Sequence, residues 1–535
     1  MGLYHKKASV FFSKQNLNAG KLVYVKHIAS QAVFLSKIHP WGTNVKARVA
    51  LVNPPYPPEA GQSVFLPLGI GYLAAVLEQE GYEVDVVDCQ TKKYSNQALE
   101  EKFRSLNPDI IGVTSATVTY LPALDVLKAA KTAVPKALTL MGGPHVTVLD
   151  REALSESSDL DIVVRGEGEQ TLLELAQLVS EGNLNGISQV QGITFKKNDE
   201  ITQTSNRPFM QDIDSLPRPA HHHFDVNMYK LFGVNYMPII TSRGCPSACT
   251  FCLASKMCGH TFRGRSPAKV VDELEWLRDE FGAGAFAFYD DTFTFDLKRA
   301  FDICDEMQKR KVTLPWDCRT RVDRVSKELL AKLKATNCQL IHFGVESGSP
   351  EMLKLMRKGT TVELNAKAIK WAKEAGISVA VSLVIGYPTE TPEMLQQTID
   401  FLYKTKPDYV YMCEAVPYPG TELANFVKEL GLEVSSNWNQ YREETQIFTN
   451  TLLPLEKLEE TKKAFYDHYF STTYFLKKKL KGDFYSQIMA RAALNHLVWN
   501  NKAAMWAFKK MAKIRGPKKT VGGYSTSSQE QENQA

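Results

Sequence analysis

Short apolar segments alternate with helical segments over most of this chain, and this alternation limits the folds that it can adopt. Between residues 46 and 185 the predicted strands are 49–54, 84–89, 110–115, 137–143 and 161–165. Each is almost wholly apolar, which is typical of a parallel strand that is buried on both faces. Helical runs separate these strands. We therefore predict an α/β fold that begins with a doubly wound parallel sheet.

The same alternation returns between residues 226 and 420. Apolar strands are predicted to begin at Ala285, Leu340 and Val379. The predicted helices are 270–281, 327–336, 362–376 and 393–405. This spacing predicts parallel βα units. Polar residues and glycines gather where the strands end, and in a βα barrel that edge carries the site.

Three closely spaced cysteines precede this second series of strands. Cys245, Cys249 and Cys252 have the spacing C-x3-C-x2-C. Three such thiolates can hold three irons of a cubic iron–sulfur cluster and leave the fourth iron open to a small molecule with an amine and a carboxylate. A zinc site completed by Cys258 or His260 is the alternative, although zinc ligands usually come in paired groups. Nine cysteines scattered over 535 residues do not indicate a disulfide scaffold.

The triplet, with the aromatic Phe251 before its last cysteine, resembles the signature of the radical S-adenosylmethionine (SAM) superfamily. The resemblance implies a partial βα barrel and a catalytic 4Fe-4S cluster ligated by Cys245, Cys249 and Cys252. It also implies that SAM chelates the open iron and that the reduced cluster cleaves it to a 5'-deoxyadenosyl radical. An electron donor such as flavodoxin or ferredoxin is implied as a partner.

The resemblance continues at the ends of the predicted strands, where it implies the residues that bind SAM. Tyr289, Asp290 and Asp291 match the positions that contact the methionyl amine. Glu346 and Ser347 match those that contact the ribose. Ile385-Gly386 and the following Pro388-Thr-Glu390 match those that accommodate the adenine. Arg321 is expected to pair with the carboxylate or the ribose. Because neighbouring strand residues face opposite sides, Asp290 and Asp291 cannot both bind SAM. For any single carboxylate, a helix N-cap or a surface charge is the alternative.

The N-terminal sheet resembles the cobalamin-binding domain that precedes many radical SAM enzymes. No G-x-G-x-x-G follows the first strand and no G-x4-G-K-[ST] is present, so a dinucleotide or nucleotide phosphate is not favoured. The matching segments are Asn53-Pro-Pro, Pro67-Leu-Gly-Ile-Gly-Tyr-Leu-Ala, Gly142-Gly-Pro-His-Val-Thr and Val164-Arg-Gly-Glu-Gly-Glu. The implied cobalamin contacts are Thr114, Ser115, Thr117, Gly142, Gly143 and His145.

One loop departs from the pattern of cobalamin-dependent mutases. Those domains carry a D-x-H-x-x-G segment whose histidine ligates cobalt, whereas the loop after Val52 reads Asn53-Pro-Pro-Tyr-Pro-Pro and has no histidine. The resemblance therefore implies cobalt without a histidine ligand from this loop. His145 is open to two interpretations, one near the corrin ring and one as a loop histidine that caps a helix.

The combination predicts a cobalamin-dependent radical SAM enzyme, in the broad group that includes the anaerobic magnesium-protoporphyrin ester cyclase and many carbon methylases. The implied reaction removes hydrogen from an unreactive carbon of a small-molecule or lipid substrate and delivers a methyl group from methylcobalamin. The alternatives are radical cyclisation, oxidation or carbon–carbon coupling of a lipid or tetrapyrrole, and a sensor without turnover. A methylthiotransferase is not expected, because that N-terminal domain carries three cluster cysteines and this one has only Cys89.

We predict six segments along the chain. They are a basic extension (1–45), the cobalamin-binding-like domain (46–185), a hairpin and linker (186–225), the radical SAM core (226–420), a helical region (421–520) and a disordered tail (521–535). The hairpin is expected to turn at Lys197-Asn-Asp. The linker holds His221, His222 and His223, and three consecutive histidines in an extended segment cannot easily converge on one ion, so we predict no metal there.

The net charge of +5 does not indicate a nucleic-acid partner. The charge is uneven, since no acidic residue precedes Glu59 and lysines cluster again after residue 476. Basic, amphipathic ends can hold a protein against anionic lipid, although a solvated extension is the simpler alternative. No apolar run reaches the ~18 residues of a membrane span. We expect a cytoplasmic protein whose ends can contact the inner face of the membrane.

Overall fold

The computed structural model describes residues 46–57, 65–197 and 200–499. The basic extension 1–45, the tail 521–535, the last part of the predicted helical region (500–520) and the two residues at the tip of the predicted hairpin, Asn198 and Asp199, lie outside the described residues.

The first sheet contains seven strands in the order β2-β1-β3-β4-β5-β6-β7. They are β1 (Arg48–Asn53), β2 (Glu83–Asp88), β3 (Ile110–Thr114), β4 (Leu138–Gly142), β5 (Ile162–Val164), β6 (Ile193–Lys197) and β7 (Glu200–Gln203). Strands β1 to β5 are parallel, and β6 and β7 are antiparallel. The five predicted strands of the N-terminal half are therefore confirmed.

Helices cover both faces of this sheet. They are α1 (Leu68–Gln79), α2 (Cys89–Lys92), α3 (Asn96–Leu106), α4 (Tyr120–Ala133), α5 (Pro144–Val148), α6 (Asp150–Glu156) and α7 (Glu169–Ser180). Alternate residues of β1 belong to different cores: Ala50 and Val52 pack in the core that contains α3, α4 and α6, whereas Val49 and Leu51 pack with α1 and α7. Burial on both faces explains why the strands carry almost no polar residues.

The predicted hairpin extends the first sheet. Strand β6 pairs with β5 through Ile193 and Phe195. The Arg165 guanidinium, which directly follows β5, donates to the Thr204 carbonyl at 2.5 Å and to the Asn206 side chain at 2.7 Å. The physical reason is that β5 would otherwise leave an unpaired edge, which the hairpin covers.

The second sheet is a curled half barrel with the strand order β16-β15-β14-β13-β12-β9-β8. Its strands are β8 (Lys230–Leu231), β9 (Val234–Ile239), β12 (Ala285–Phe288), β13 (Trp316–Thr320), β14 (Cys338–Glu346), β15 (Ser378–Ile385) and β16 (Tyr409–Glu414), and the short pair β10 (Ser242–Arg243) and β11 (Arg263–Gly264) lies beside it. Apart from β8, these sheet strands are parallel. The predicted fold class is confirmed.

The helices of the second half fall into two groups. Those of the βα units are α8 (Ala254–Cys258), α9 (Pro267–Phe281), α10 (Leu297–Lys309), α11 (Lys327–Ala335), α12 (Pro350–Leu355), α13 (Val362–Glu374) and α14 (Pro392–Thr405). The later ones are α15 (Glu422–Glu429), α16 (Leu455–Tyr469), α17 (Thr472–Lys481) and α18 (Phe484–Trp499). The region after residue 421 is therefore helical only in part, because residues 430–454 contain turns and one short 3₁₀ segment, Trp438–Gln440.

Helix α18 fills the inner face of the half barrel. Its Tyr485 and Met489 pack with inward-facing strand residues such as Ala285 and Ala380. The Tyr485 hydroxyl donates to the fully buried Asp317 carboxylate at 2.6 Å, and the Tyr236 hydroxyl donates to the same oxygen. Burial raises the pKa of Asp317 in spite of these donors and the nearby Arg319. Across the described ranges, no helix is long and apolar enough to cross a membrane.

The close approach of β4 to the loop after β3 generates the first prediction. Gly143 has φ +103°, and a Cβ atom there would lie 2.6 Å from the Ser115 carbonyl oxygen. We expect Gly143→Ala to lower the free energy of unfolding by at least ~2 kcal/mol, because it adds backbone strain to a steric overlap. Gly69→Ala is the matched control, since a Cβ on that helical glycine meets nothing within 4 Å. Urea unfolding of both variants measures this, and equal stability of the two would contradict it.

Candidate active site

The three cysteines lie on a loop that the antiparallel pair β10–β11 closes. Arg243 of β10 pairs with Arg263 of β11, and Cys245 begins the loop two residues later. Gly244 between them has φ +88°, and a Cβ atom at that position would overlap the Thr261 carbonyl oxygen. Glycine is therefore required where the chain turns into the cysteine loop.

Each cysteine sulfur has a different polar neighbour. Cys245 Sγ lies 3.9 Å from Thr292 Oγ1, Cys249 Sγ lies 4.0 Å from a guanidinium nitrogen of Arg321, and Cys252 Sγ accepts from the Ala254 N–H at 3.5 Å. Because the sulfurs differ in their neighbours, a bound cluster would be asymmetric in its surroundings.

Burial keeps two of these thiols protonated when no metal is bound. It raises the pKa of Cys249, although the Lys358 and Arg321 charges act in the opposite direction. It raises the pKa of Cys252 to about 11. Binding iron as thiolates must therefore release protons, so cluster assembly is favoured as the pH rises.

The spacing of the sulfurs argues against the zinc alternative. Zinc–sulfur bonds of about 2.3 Å place the sulfur atoms of a zinc site roughly 3.8 Å apart. Among the residues that the structure describes, no set of three that includes these cysteines, Cys258 or His260 has its ligand atoms all within 4.8 Å of one another. The described part of the cysteine loop therefore does not present a compact set of three zinc ligands.

Asp290 anchors the strand that leads into the cysteine loop. Its carboxylate accepts from the Thr241 N–H at 2.6 Å, the Thr241 hydroxyl at 2.5 Å and the Ser242 hydroxyl at 2.7 Å. Its side chain is buried, whereas the neighbouring Asp291 side chain is exposed. Crowding by protein atoms and the Asp290 charge raise the pKa of Asp291. Of the two carboxylates, Asp291 is the one that a ligand can reach.

Tyr289, at the end of β12, lies between the two halves of the molecule. The Arg319 guanidinium stacks on its ring at 3.9 Å, a favourable cation–π distance. The Phe65 ring, from the segment before α1, meets its edge at 5.2 Å. Tyr289 therefore contributes an aromatic surface where the first sheet meets the barrel.

Glu346 and Lys358 form a buried ion pair beside the cysteine loop. Lys358 Nζ donates to Glu346 Oε1 at 2.6 Å, and both side chains are more than nine-tenths buried. Glu346 has φ +63°, a conformation that a side-chain-bearing residue rarely adopts and that turns it out of the regular strand. Lys358 was not predicted, because its only local signal is its place in the basic, glycine-containing turn Arg357-Lys-Gly after α12.

Arg321 lies on the same side of the cysteine loop as Lys358. It donates to the Lys358 carbonyl at 2.7 Å and to the Asp323 carboxylate at 2.9 Å. Its remaining nitrogen points towards Cys249. Two cations next to one cysteine favour a negatively charged cluster and can attract a ligand carboxylate.

Ser347 is occupied by contacts within the protein. Its hydroxyl lies 3.0 Å from Thr398 Oγ1 and accepts from the Ser349 N–H at 3.0 Å. These bonds hold the turn between β14 and α12, which places Glu346. The structure therefore brings Glu346, not Ser347, to the open side of the strand ends.

The end of β15 carries a second buried carboxyl group. Glu390 Oε2 accepts from the Gly386 N–H at 2.6 Å, and burial raises the pKa of Glu390 to about 7. In the described ranges, Glu390 Oε1 and both polar atoms of the Gln446 side-chain amide are buried without a hydrogen-bond partner. The Gln446 amide lies against Gly386. Unpaired donors and acceptors here fit a polar, planar ligand such as adenine.

The predicted cobalamin residues gather at the carboxyl edge of the first sheet. Thr114 ends β3, and the buried Ser115 donates its N–H to the Gly142 carbonyl at 2.8 Å. Thr117 begins the 3₁₀ turn that leads to α4, and Gly143 packs directly on Ser115. These small residues form a flat edge that lets a broad ligand approach the strand ends.

His145 lies in a cavity beneath this edge. Its ring centroid is 4.2 Å from that of Tyr120 and 4.9 Å from that of Trp438, and its side chain is almost fully buried. Burial lowers the pKa of His145 to about 4, so the imidazole is neutral at pH 7. Its Nδ1 has no partner among the described residues. The adjoining cavity of about 320 Å³ is lined by Tyr120, Pro417, Trp438 and Tyr441.

Family comparisons agree with this arrangement. The profile of the radical SAM superfamily matches residues 239–402, and that of the B12 binding domain matches residues 61–176. An uncharacterized methyltransferase of Pyrococcus horikoshii is 35% identical over 376 residues, which are 70% of this chain and 81% of that protein. The chain belongs to the radical SAM superfamily, in the group with a B12 binding domain.

The names of other similar proteins state an activity or a cofactor. The anaerobic magnesium-protoporphyrin IX monomethyl ester cyclase of Cereibacter sphaeroides is 33% identical over 70% of this chain and 63% of its own length. Among solved structures, the methyltransferase TsrM of Kitasatospora setae, with cobalamin and a [4Fe-4S] cluster, has a TM-score of 0.67 at 19% identity and covers 84% of this chain and all of its own. The cobalamin-dependent radical enzyme OxsB has a TM-score of 0.67 at 17% identity over 91% of this chain and 80% of its own.

The protein is a radical SAM enzyme whose cofactors are a 4Fe-4S cluster, SAM and cobalamin. The residues present fit these groups. Three thiols with two nearby cations suit the cluster, unpaired polar atoms near Gly386 suit SAM, and the flat edge around Gly143 suits a corrin. The individual SAM and cobalamin contacts remain predictions.

The raised pKa of Glu390 generates a prediction about pH. Its folded-state pKa of about 7 lies above its ordinary 4.5, so the folded protein binds more protons than the unfolded chain between these values. The resulting stability is complete below pH 4.5 and is lost as the pH rises to about 7. We expect Glu390→Gln to abolish this loss, which amounts to at most ~3 kcal/mol.

Anaerobic urea unfolding at pH 5 and pH 8 tests this prediction. The matched control is Glu393→Gln, an exposed glutamate in the first turn of α14. If Glu390→Gln and the control show the same pH dependence as the unchanged protein, Glu390 is not the titrating group.

Proposed function

We propose that this enzyme methylates an unactivated carbon of a small-molecule or lipid substrate in a cobalamin-dependent radical reaction. Its electron donor would be a small redox protein such as flavodoxin or ferredoxin. In this group of enzymes the cluster and SAM supply the radical that removes hydrogen, and cobalamin supplies the methyl group. The sensor alternative is set aside, because the relatives are enzymes.

The observation that carries the proposal is that ion pairs join the cysteine loop to the carboxyl edge of the first sheet, where the predicted cobalamin residues lie. Arg243, two residues before Cys245, donates to Glu169 at 2.6 Å and to Glu167 at 3.2 Å. Both glutamates follow β5 of the first sheet. Arg263 also donates to Glu167, at 3.0 Å. Burial alone would raise the pKa of Glu167, but these guanidiniums lower it, so the carboxylate is charged.

The ion pairs support a reaction in which both cofactors face one space. A methyl donor and a hydrogen-abstracting radical must reach the same substrate carbon in turn, so their binding edges must lie close together. Lys358 and Arg321 would hold negative charge near Cys249, and Asp291 offers an accessible carboxylate.

Radical cyclisation is the second candidate. The observation that favours it is the similarity to the magnesium-protoporphyrin ester cyclases of Cereibacter sphaeroides and Rubrivivax gelatinosus, at 33% and 30% identity. Both candidates begin with the same cleavage of SAM. In the first the substrate carbon gains a methyl group, and in the second it forms a ring bond within the substrate.

The first test combines the cysteine variants with labelled SAM. After anaerobic reconstitution, we expect about four irons per chain in the unchanged protein and in Cys258→Ala, and almost none in Cys245→Ala, Cys249→Ala or Cys252→Ala. With dithionite, cobalamin and methyl-labelled SAM, the unchanged protein and Cys258→Ala should release 5'-deoxyadenosine. With these two proteins, label should also appear in candidate substrates, including lipid extracts. Deoxyadenosine without label transfer would favour cyclisation, and its absence despite an intact cluster would contradict both candidates.

We also propose that α17 contacts anionic lipid. Leu476 and Leu480 lie one turn apart and are 51% and 85% exposed, with exposed Lys477 and Lys479 between them. An apolar stripe with flanking lysines is suited to the interface of a negatively charged bilayer.

Sedimentation with phosphatidylglycerol vesicles tests this contact in the full chain. Leu476→Ser with Leu480→Ser should weaken binding by roughly tenfold, because two apolar side chains no longer enter the interface. Leu430→Ser is the control, since Leu430 is 45% exposed and lies at the end of α15. Equal binding by both variants would show that α17 does not contact the bilayer.

A further inference from the structure

Two histidines of the linker and one glutamate of α1 converge on the protein surface. His222 Nε2 lies 3.0 Å and His223 Nε2 lies 2.7 Å from the same oxygen, Glu78 Oε1. The two imidazole rings lie side by side, with centroids 4.4 Å apart. The histidines are 144 and 145 positions away from the glutamate in the chain, so the fold creates this cluster.

The prediction that this segment is extended and holds no metal assumed the wrong backbone. Residues His221–His223 form a 3₁₀ turn, in which successive side chains point in different directions around the axis. His221 turns inwards and packs at 5.2 Å from the Trp276 ring. The other two histidines are therefore free to share one partner, which an extended strand would not allow.

The dimensions of the cluster suit a transition-metal ion. Its three ligand atoms all lie within 4.8 Å of one another, and it is the only such set of three histidine, cysteine or carboxylate groups among the described residues. Zinc bonds to nitrogen and carboxylate oxygen are about 2.0–2.2 Å long, which separates neighbouring ligand atoms by roughly 3.4 Å. An ion could therefore enter with side-chain movements of less than about 1 Å.

The backbone that presents these ligands is fixed independently of any ion. The Ala220 N–H donates to the Gly71 carbonyl of α1 at 2.9 Å, which joins the linker to the helix that carries Glu78. On the other side, His221 Nδ1 lies 2.8 Å from the Pro219 carbonyl, and the ring is buried against α9. A turn held at both ends lowers the entropy cost of collecting ligands from two segments.

We propose that Glu78, His222 and His223 form a site for a zinc-type divalent cation that joins α1 of the first sheet to the linker before the second. The side chains of His222, Glu78 and His223 are 59%, 30% and 16% exposed, so water can complete the coordination shell. The site is separate from the cysteine loop and does not depend on the proposed reaction. Its role is structural, since it ties the linker to α1.

The test uses zinc ions and the full chain, without a polyhistidine tag and with its cluster already assembled. After dialysis against micromolar zinc, we expect one equivalent of bound zinc in the unchanged protein and in Glu80→Gln, an exposed control two residues away. Glu78→Gln, and His222→Gln with His223→Gln, should bind zinc at least about tenfold more weakly. Zinc should also raise the melting temperature of the unchanged protein and the control only.

Two outcomes would overturn the proposal. One is zinc binding of equal strength in all four proteins. The other is an X-ray absorption spectrum of the bound zinc with sulfur ligands, which would place the ion at the cysteines. Retention of iron by the glutamate and histidine variants verifies that they are folded, so a loss of zinc can be assigned to the lost ligands.

Discussion

The paired charges of Arg243, Arg263, Glu167 and Glu169 are the interaction on which the arrangement of this enzyme depends. They join the strand pair that closes the cysteine loop to the turn after β5. A buried ion pair adds little net stability compared with apolar packing, but losing one partner leaves an uncompensated charge. These pairs therefore act mainly by fixing position: they determine which edge of the first sheet faces the iron-binding loop.

The sequence predicted the parts of this architecture that depend on local pattern. Five buried strands were recognisable because burial on both faces removes polar residues, and the cysteines were recognisable because cluster ligation demands fixed spacing. The place of the hairpin was not predictable, because the pairing of β6 with β5 depends on an open sheet edge that is not local. The helical region expected after residue 421 is helical only in part, because residues 430–454 contain turns and one short 3₁₀ segment.

The candidate site shows the same division between local and non-local information. Strand-end residues such as Tyr289 and Glu346 could be proposed from the sequence, because they end apolar runs in an order that resembles the radical SAM pattern. Lys358 was missed because its importance comes from a contact across 12 residues with Glu346, and Gln446 was missed because only the fold brings it to Gly386. Conversely, Asp290 and Ser347 are engaged within the protein, which no sequence pattern could distinguish from ligand binding. Linear patterns locate the edges where sites form, and contacts between distant segments decide which side chains remain available.

The position of α18 has a consequence for how a substrate can be shaped. Tyr485 reaches residues near the amino ends of the barrel strands, where Asp317 and Tyr236 form a polar floor. Within the described part of the chain, α18 and this floor occupy the inner face near the amino ends of the strands, so a molecule that enters at the carboxyl ends meets α18. A long substrate would then insert one end or fold into a bend, and could not be threaded through. Methylation would then be confined to carbons close to a terminus or a bend. The depth to which the substrate inserts would determine which carbon is methylated.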